Sequence, residues 1–412
     1  MPRILHFADA HIDMTNYGQH DPKSGLPLRV MDFLKSLDTI VNTAIDEKVD
    51  LVIFAGDTYR DRSPQPTFQR EWGRRIMRLS RAGIPTLLIT GNHDISPAQI
   101  RAHAMQEFET LEPAFVHVVS RPSLLTPEDL DGVPVQVIAL PWITRAGLVA
   151  SLQGSDQPTD DPAKAIEAIL TEMVNGAIAQ LDPDLPTILT AHASVEGAKF
   201  GNEQTIKVGK DVLLQPRFVS NPRFDYVALG HIHKYQNLNE GSYPPVIYPG
   251  SIERVDFGEI NEDKGFIIAD VQKGSTTFER RILKTRPFID LHMRLEEGDD
   301  VMARLEGILP GMHVVDGAIV RLRIDYPKEL ETQIDEKRLR DEMRGAFEFY
   351  LAKNPSTRAR ARLDVNEGTA SMPPMALMEL YWKENSVSEA GRTELGRLAS
   401  QIISDVNGGL DA

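Results

Sequence analysis

Five short polar clusters, each standing directly after an apolar run, constrain this chain more than any other feature. They are Asp9-Ala10-His11, Gly56-Asp57, Gly91-Asn92-His93-Asp94, Ala191-His192 and Gly230-His231-Ile232-His233. The runs before them, residues 4–8, 51–55, 86–90, 187–190 and 226–229, read as buried strands. Polar groups that recur at the carboxyl ends of several strands converge on one sheet edge, where open α/β sheets place their ligands. Asp9, Asp57, Asn92 and five histidines then pool there, a donor set suited to two borderline divalent cations.

Two cations about 3.5–4 Å apart clamp the attacking and leaving oxygens of an in-line phosphoryl displacement. A carboxylate can bridge such a pair. Asp57 is the candidate bridge, because its strand should lie near the middle of the sheet. Asp9-x-His11 and His231-x-His233 can each present two side chains to one side of a turn. Asn92 offers a neutral oxygen, which avoids a third anion beside an incoming phosphate, and His93 is better placed to meet substrate than metal. Asp94 has two readings: it orients His93, or it caps the segment beginning at Ser96-Pro97. One Asp-x-His alone is usually a turn or a helix cap; the five clusters together carry the reading. His6 lies on a strand and reads as a core or sheet-face residue.

The 412 residues predict two or three domains. No apolar run of about 18 residues exists, so no transmembrane helix is expected. A strand beginning at Arg3 leaves no room for a signal peptide, and zero cysteines exclude thiolate sites and disulfides, which fits a cytoplasmic protein. The net charge of −15 is awkward for nucleic-acid binding, which is driven by basic faces. A local basic patch or a partner must supply that grip.

The order D-x-H, G-D, G-N-H-D, H and G-H-x-H resembles the calcineurin-like metallophosphoesterases. The stretch Tyr248 to Glu259, which contains Arg254, is similar to one in SbcD-type nucleases, components of a double-strand-break repair complex. The resemblance implies a four-layer α/β/β/α sandwich over residues 1–284. It also implies a DNA-selecting α+β capping domain over 285–370, then a linker and ATPase-binding helices over 371–412. Two divalent cations, Mn²⁺ by this resemblance, would be held by Asp9, His11, Asp57 and His233 and by Asp57, Asn92, His192 and His231. His93 would stabilise the transition state or protonate the leaving oxygen. The implied activity is 3′-5′ double-strand exonuclease and single-strand endonuclease, at DNA ends. The implied partners are an SbcC/Rad-fifty-type ABC ATPase and a second copy of this chain.

Elsewhere each segment has a plain and a functional reading. Periodic Val30, Phe33, Leu34, Leu37, Ile40 and Val41 predict a helix packed on the sheet. Strand, helix and strand alternate, predicting a sheet with helices on both faces. The loop after Asp57 carries Arg60 and Arg62 and is either a DNA approach or a solvated loop; the resembled nucleases often have His where Arg60 stands. Arg70, Arg74, Arg78 and Arg81 form a stripe that is a solvated face, a DNA flank or a dimer contact. Lys199, Lys207, Arg254, Arg358 and Arg360 complete the candidate DNA contacts. Helices are expected over Asp300–Ile308 and Glu336–Leu351. Leu377, Leu380 and Tyr381, then Leu395, Leu398 and Ile402, form apolar helix faces that would dock on the ATPase, and Ser386 with Glu389 has capping-box spacing. Two other readings remain: a phosphodiesterase of small or cyclic nucleotides, and a largely non-catalytic DNA-end scaffold.

Overall fold

All five apolar runs form strands, buried throughout except at Arg3. The computed structural model describes residues 1–17, 19–95, 102–143, 162–200, 213–356, 372–384 and 387–408. These fall into two units, Met1–Ile289 and Asp290–Ala412. The first begins with β1 (Arg3–Phe7), α1 (Leu28–Asp46), β2 (Leu51–Phe54), α2 (Pro66–Arg81), β3 (Thr86–Ile89), α3 (Gln106–Leu111) and β4 (Val116–Val119). It continues through β5 (Ser123–Leu125), β6 (Gln136–Leu140), α4 (Pro162–Ile178), β7 (Thr187–His192), β8 (Ser194–Val195), β9 (Leu213–Leu214) and α5 (Pro216–Val219). It closes with β10 (Tyr226–Gly230), β11 (Gln236–Asn237), β12 (Val246–Tyr248), β13 (Gly265–Gln272) and β14 (Ser275–Ile282).

Two six-stranded sheets result, ordered β14-β13-β1-β2-β3-β4 and β11-β12-β10-β7-β6-β5. Three apolar cores show how they stack. Phe7, Val52, Phe54 and Leu88 pack outward on Val30, Phe33 and Leu37 of α1 and Trp72 of α2. Ile4, Leu51, Ile53 and Leu87 face inward and share a core with Val137, Ile188, Tyr226 and Ile247 of the second sheet. That sheet's outer face, with Leu189, Val227 and Leu229, packs on Leu170 and Val174 of α4. The layers are therefore α/β/β/α. The expectation of one sheet with helices on both faces is corrected: each sheet has helices on one face and its partner sheet on the other. Either arrangement demands strands apolar on both sides, so the strand sequences alone do not separate them.

His6 sits between the sheets, its Nδ1 3.0 Å from the Tyr226 hydroxyl and its Nε2 3.2 Å from the Leu229 carbonyl. Burial pushes its pKa down to about 3, so it is a neutral cross-sheet link. Three arginines of the α2 stripe, Arg70, Arg74 and Arg78, make ion pairs at the surface, and Arg75 beside the stripe adds to them. Arg74 and Arg75 pair with Glu71, and Arg75 and Arg78 reach Asp38 of α1 at 2.7 and 3.0 Å, fastening the two helices together.

The second unit holds β15 (Phe288–Arg294), α6 (Val301–Glu306), α7 (Met312–Val315), β16 (Ile319–Pro327), α8 (Glu336–Glu342) and β17 (Glu348–Ser356), followed by α9 (Pro374–Glu384) and α10 (Glu389–Gly408). Its sheet is ordered β15-β16-β17, with the last pair parallel. The helix expected over Glu336–Leu351 stops at Glu342, and Glu348–Ser356 is a strand instead. Phe349, Tyr350 and Leu351 favour a sheet, and pairing with β16 overrides the charged helical pattern before them. Trp382 and Ala399 are buried where α9 and α10 meet, whereas Leu395, Leu398 and Ile402 are 39–63% exposed. Leu377, Leu380 and Tyr381 are partly buried. The α10 cap is Ser388, whose Oγ accepts from Gly391 N; Ser386 lies outside the described residues. Among the described residues no helix is long and apolar enough to cross a membrane.

At Gly230 the two sheets come close together, since a Cβ there would lie 2.0 Å from the Ala55 carbonyl oxygen. Gly230→Ala should lower unfolding free energy by about 1–3 kcal/mol, the usual cost of overpacking, read as an earlier urea midpoint with an unchanged m value.

Candidate metal centre

At the carboxyl ends of the strands the chain enters the left-handed region with residues that are not glycine: Asp9 (φ 51°), His11 (38°), Asp57 (64°) and His231 (101°). Such residues are costly and persist only where their surroundings over-determine them. Here backbone bonds lace the first two turns together, Asp9 N to Gly56 O at 2.9 Å and Ala10 N to Asp57 O at 2.9 Å. Asp94 is the clamp. Its buried carboxylate accepts from Asp57 N (2.9 Å), Thr58 N (3.0 Å) and Gly91 N (2.8 Å). Its oxygens thus hold the backbone of two turns, and the segment it was read as capping, residues 96–101, lies outside the described residues. Gly91 is required beside it, because a Cβ there would lie 2.2 Å from Asp57 Oδ1.

The turns gather two triads, Asp9–His11–His233 and Asp57–His192–His231, each with ligand atoms within 4.8 Å of one another. Asn92 Oδ1 joins the second, 3.1 Å from His192 Nε2 and 2.9 Å from His231 Nδ1. Asp57 Oδ2 faces both, 3.4 Å from His192 Nε2 and 3.9 Å from His11 Nε2.

Outer partners set the tautomers. His11, His192 and His233 direct Nδ1 at Tyr59 O (3.2 Å), Ala55 O (2.7 Å) and Glu259 Oε1 (2.8 Å). Each of these oxygens can only accept, so Nδ1 carries the proton and Nε2 turns inward as a potential ligand. His11 Nε2 and His233 Nε2 then lie 3.1 Å apart, so in the neutral tautomers two lone pairs would meet. A cation between them relieves that contact, and on this observation the donor set fits divalent metal.

The charges agree. No lysine or arginine side chain pairs with Asp9 or Asp57 among the described residues. Burial, with a smaller push from Asp57, raises the Asp9 pKa to about 7. Burial would also raise Asp57, but His192, His93 and His11 hold it well below the usual carboxylate range. Burial would lower His192, but Asp57 and, after it, Asp9 raise it to about 9, so among the described residues imidazoles alone offset the two buried carboxylates.

His93 adjoins the first triad, its ring 5.3 Å from that of His11. Its Nδ1 lies 2.7 Å from the Arg60 carbonyl oxygen, and its backbone N donates to Asp57 Oδ1 at 2.8 Å. Arg60 thus serves His93 through its backbone, which Asp13 holds by accepting from the amides of Arg60 and Asp61. The side chains of Arg60, Arg62 and Lys199 are exposed. Arg254 is turned onto its own fold, donating to Glu259 O, Thr285 Oγ1 and Arg286 O, so its expected DNA contact is corrected to a structural tie. Lys207, Arg358 and Arg360 lie outside the described residues.

The family profile described as calcineurin-like phosphoesterase matches residues 2–235. The chain belongs to that family. It is 32% identical over 348 residues to the SbcD component of nuclease SbcCD from Rhodobacter capsulatus, covering 79% of this chain and 81% of that protein. It is 27% identical over 326 residues to the DNA double-strand break repair protein Mre11 of Haloferax volcanii, covering 78% of this chain and 60% of that protein. With the SbcD component of nuclease SbcCD from Escherichia coli K12 the identity is 26% over 268 residues, 64% of this chain and 63% of that protein. The family uses two divalent metals, and the two triads are its candidate ligand groups here.

Two residues of this phosphoesterase escaped the sequence analysis as site residues. Glu259 is buried and accepts from His233 Nδ1 (2.8 Å), Val255 N (2.8 Å) and Lys264 Nζ (2.9 Å). Lys264 Nζ also donates to the His233 carbonyl at 3.0 Å, so this pair holds the histidine by both ring and backbone. A carboxylate in the Tyr248–Glu259 stretch was the available signal. The other is Trp142, which follows β6 as the polar clusters follow their strands but is not itself polar. Its ring lies 5.1 Å from His231 and 6.0 Å from His192.

Glu259→Ala should weaken divalent-metal binding about 10- to 100-fold by calorimetric titration, the range for lost partners of metal-binding histidines. Burial alone would raise the Glu259 carboxyl, but Lys264 and His233 bring it down from 4.5 to about 2. A lowered carboxyl stabilises the fold above its unfolded pKa and loses that contribution as pH falls towards the folded one. Metal-free protein should therefore lose stability between about pH 4.5 and 2, with a shallower loss in Glu259→Gln, measured by urea unfolding at stepped pH.

Proposed function

We propose that this phosphoesterase is a nuclease that processes DNA ends together with an SbcC-type ATPase. The observation that carries the chemistry is Asp57 Oδ2 facing both triads, with imidazole nitrogens turned inward on either side. Asp9, His11, Asp57 and His233 would hold one cation, and Asp57, Asn92, His192 and His231 the other. Mn²⁺ suits this mixture of imidazole, carboxylate and amide oxygen. When bound, such a pair supplies Lewis acidity that activates water and offsets charge developing on the phosphate. Asp57 fixes the spacing of the two positions. His93, with Nδ1 committed to the Arg60 carbonyl, presents Nε2 as the nitrogen that hands a proton to the leaving oxygen.

The substrate and partner readings rest on the names of the relatives, on the second unit and on the terminal helices. With a net charge of −15, DNA contact would fall to local cations. These are Arg60 and Arg62 on the loop leaving Asp57, Lys199, and Lys207, Arg358 and Arg360. The second unit would select DNA shape. The outward Leu395, Leu398 and Ile402, with Leu377, Leu380 and Tyr381, would form the face that meets the ATPase. A homodimer acting in the cytoplasm completes the reading.

The test is linear duplex DNA with Mn²⁺, alone and with the ATPase. Wild-type protein should degrade it, and Asp57→Ala should not. His93→Ala should keep fold and metal binding yet lose turnover by about 10²–10⁴, the usual contribution of one acid–base group. Undiminished cleavage by that variant would remove His93 from the chemistry. Turnover of small diesters with DNA untouched, ATPase present, would replace the nuclease reading by a small-nucleotide phosphodiesterase.

A further inference from the structure

We propose that Trp142 is a specificity-determining substrate contact, an aromatic platform for the base of the nucleotide that keeps the scissile phosphate. The substrate class rests on the nuclease reading above; the placement of the ring does not. Trp142 is fixed at the crevice from two sides. Its strand, β6, pairs with β7 up to Leu140 opposite Ala191, one residue before His192. Its own backbone N donates to Thr90 O at 2.7 Å, tying it to the strand end that leads into Asn92.

The ring lies over the second triad, tilted 39° against His231 and near edge-on to His192 at 73°. Those imidazoles are 8% and 1% exposed, whereas Trp142 beside them is only partly buried. Its indole N–H has no hydrogen-bond partner among the described residues. The apolar cavity it shares with Leu140, Ile143, Leu170 and Leu214 measures about 10 Å³, room for no more than one water. That cavity is too small for a nucleobase.

The two triads have different neighbours. His93 stands beside His11 of the first, and Trp142 beside His231 of the second. A phosphodiester lying across both, with its leaving oxygen towards His93, directs its remaining ester group towards Trp142. An aromatic face there suits a nucleobase and tolerates any base, because stacking does not read sequence.

The experiment compares two esters with the same leaving group, thymidine 5′-(p-nitrophenyl phosphate) and methyl p-nitrophenyl phosphate, with Mn²⁺. Trp142→Ala should lower kcat/KM for the thymidine ester about 5- to 100-fold more than for the methyl ester, mainly through KM, as one lost base stack requires. Trp142→Phe should restore most of the loss. An equal fall on both esters, or no fall on either, overturns the proposal. A second measurement uses the wild-type protein, taking Trp142 emission as its difference from Trp142→Phe. Thymidine 5′-phosphate should quench it and deoxyribose 5-phosphate should not; quenching by both or by neither also overturns the proposal. Duplex DNA left intact beside a base-dependent ester result would sink the nuclease reading while keeping the platform.

Discussion

Two carboxylates, Asp9 and Asp57, are buried at the meeting edge of two sheets with imidazoles for company and no basic side chain paired to them among the described residues. Burying an anion is costly unless it is paired or bound to metal. The rest of the site follows from that constraint. Four residues accept left-handed backbone to bring their side chains in, and outer acceptors turn the imidazoles so that their Nε2 atoms point inward. The arrangement is poor as a set of ion pairs and good as a cradle for divalent cations.

The layered fold matters because neither sheet owns the site. Asp9, His11, Asp57 and Asn92 follow strands of the first sheet, and His192, His231 and His233 follow strands of the second. Each triad takes side chains from both, so it exists only while the sheets stay in register. The inter-sheet core, the neutral His6 link and the close approach at Gly230 therefore bear on function as directly as the ligands do. Asp94 plays the same part locally, binding the Asp57 turn to the Gly91 turn with one carboxylate.

The ligands were legible in the sequence because each is announced locally, by an apolar run that stops at a polar cluster. What was not legible is tertiary. Asp94 acts on amides 36 and 37 residues away, and Glu259 on a histidine 26 residues away, so the partner of neither can be read from its sequence neighbours. Arg60 was weighed for its side chain, whereas its carbonyl is what His93 uses. Arg254 was counted among DNA contacts because it is basic, and only the fold shows its donors committed to Glu259, Thr285 and Arg286. Trp142 escaped because a search for polar ligands passes over an aromatic ring. In the second unit, the charged pattern from Glu336 onward concealed a strand that only its partner β16 makes favourable.

The acidity of the chain sharpens the case for the metals, since without them the carboxylates of the centre that must receive a phosphate are, among the described residues, offset only by imidazoles. The central claim is that Asp57 bridges two cations between the triads. The most direct test is anomalous diffraction at the manganese edge from crystals grown with Mn²⁺. The account predicts two peaks about 3.5–4 Å apart, one in each triad with Asp57 Oδ2 between them. A single peak, or manganese bound away from Asp57, would contradict it.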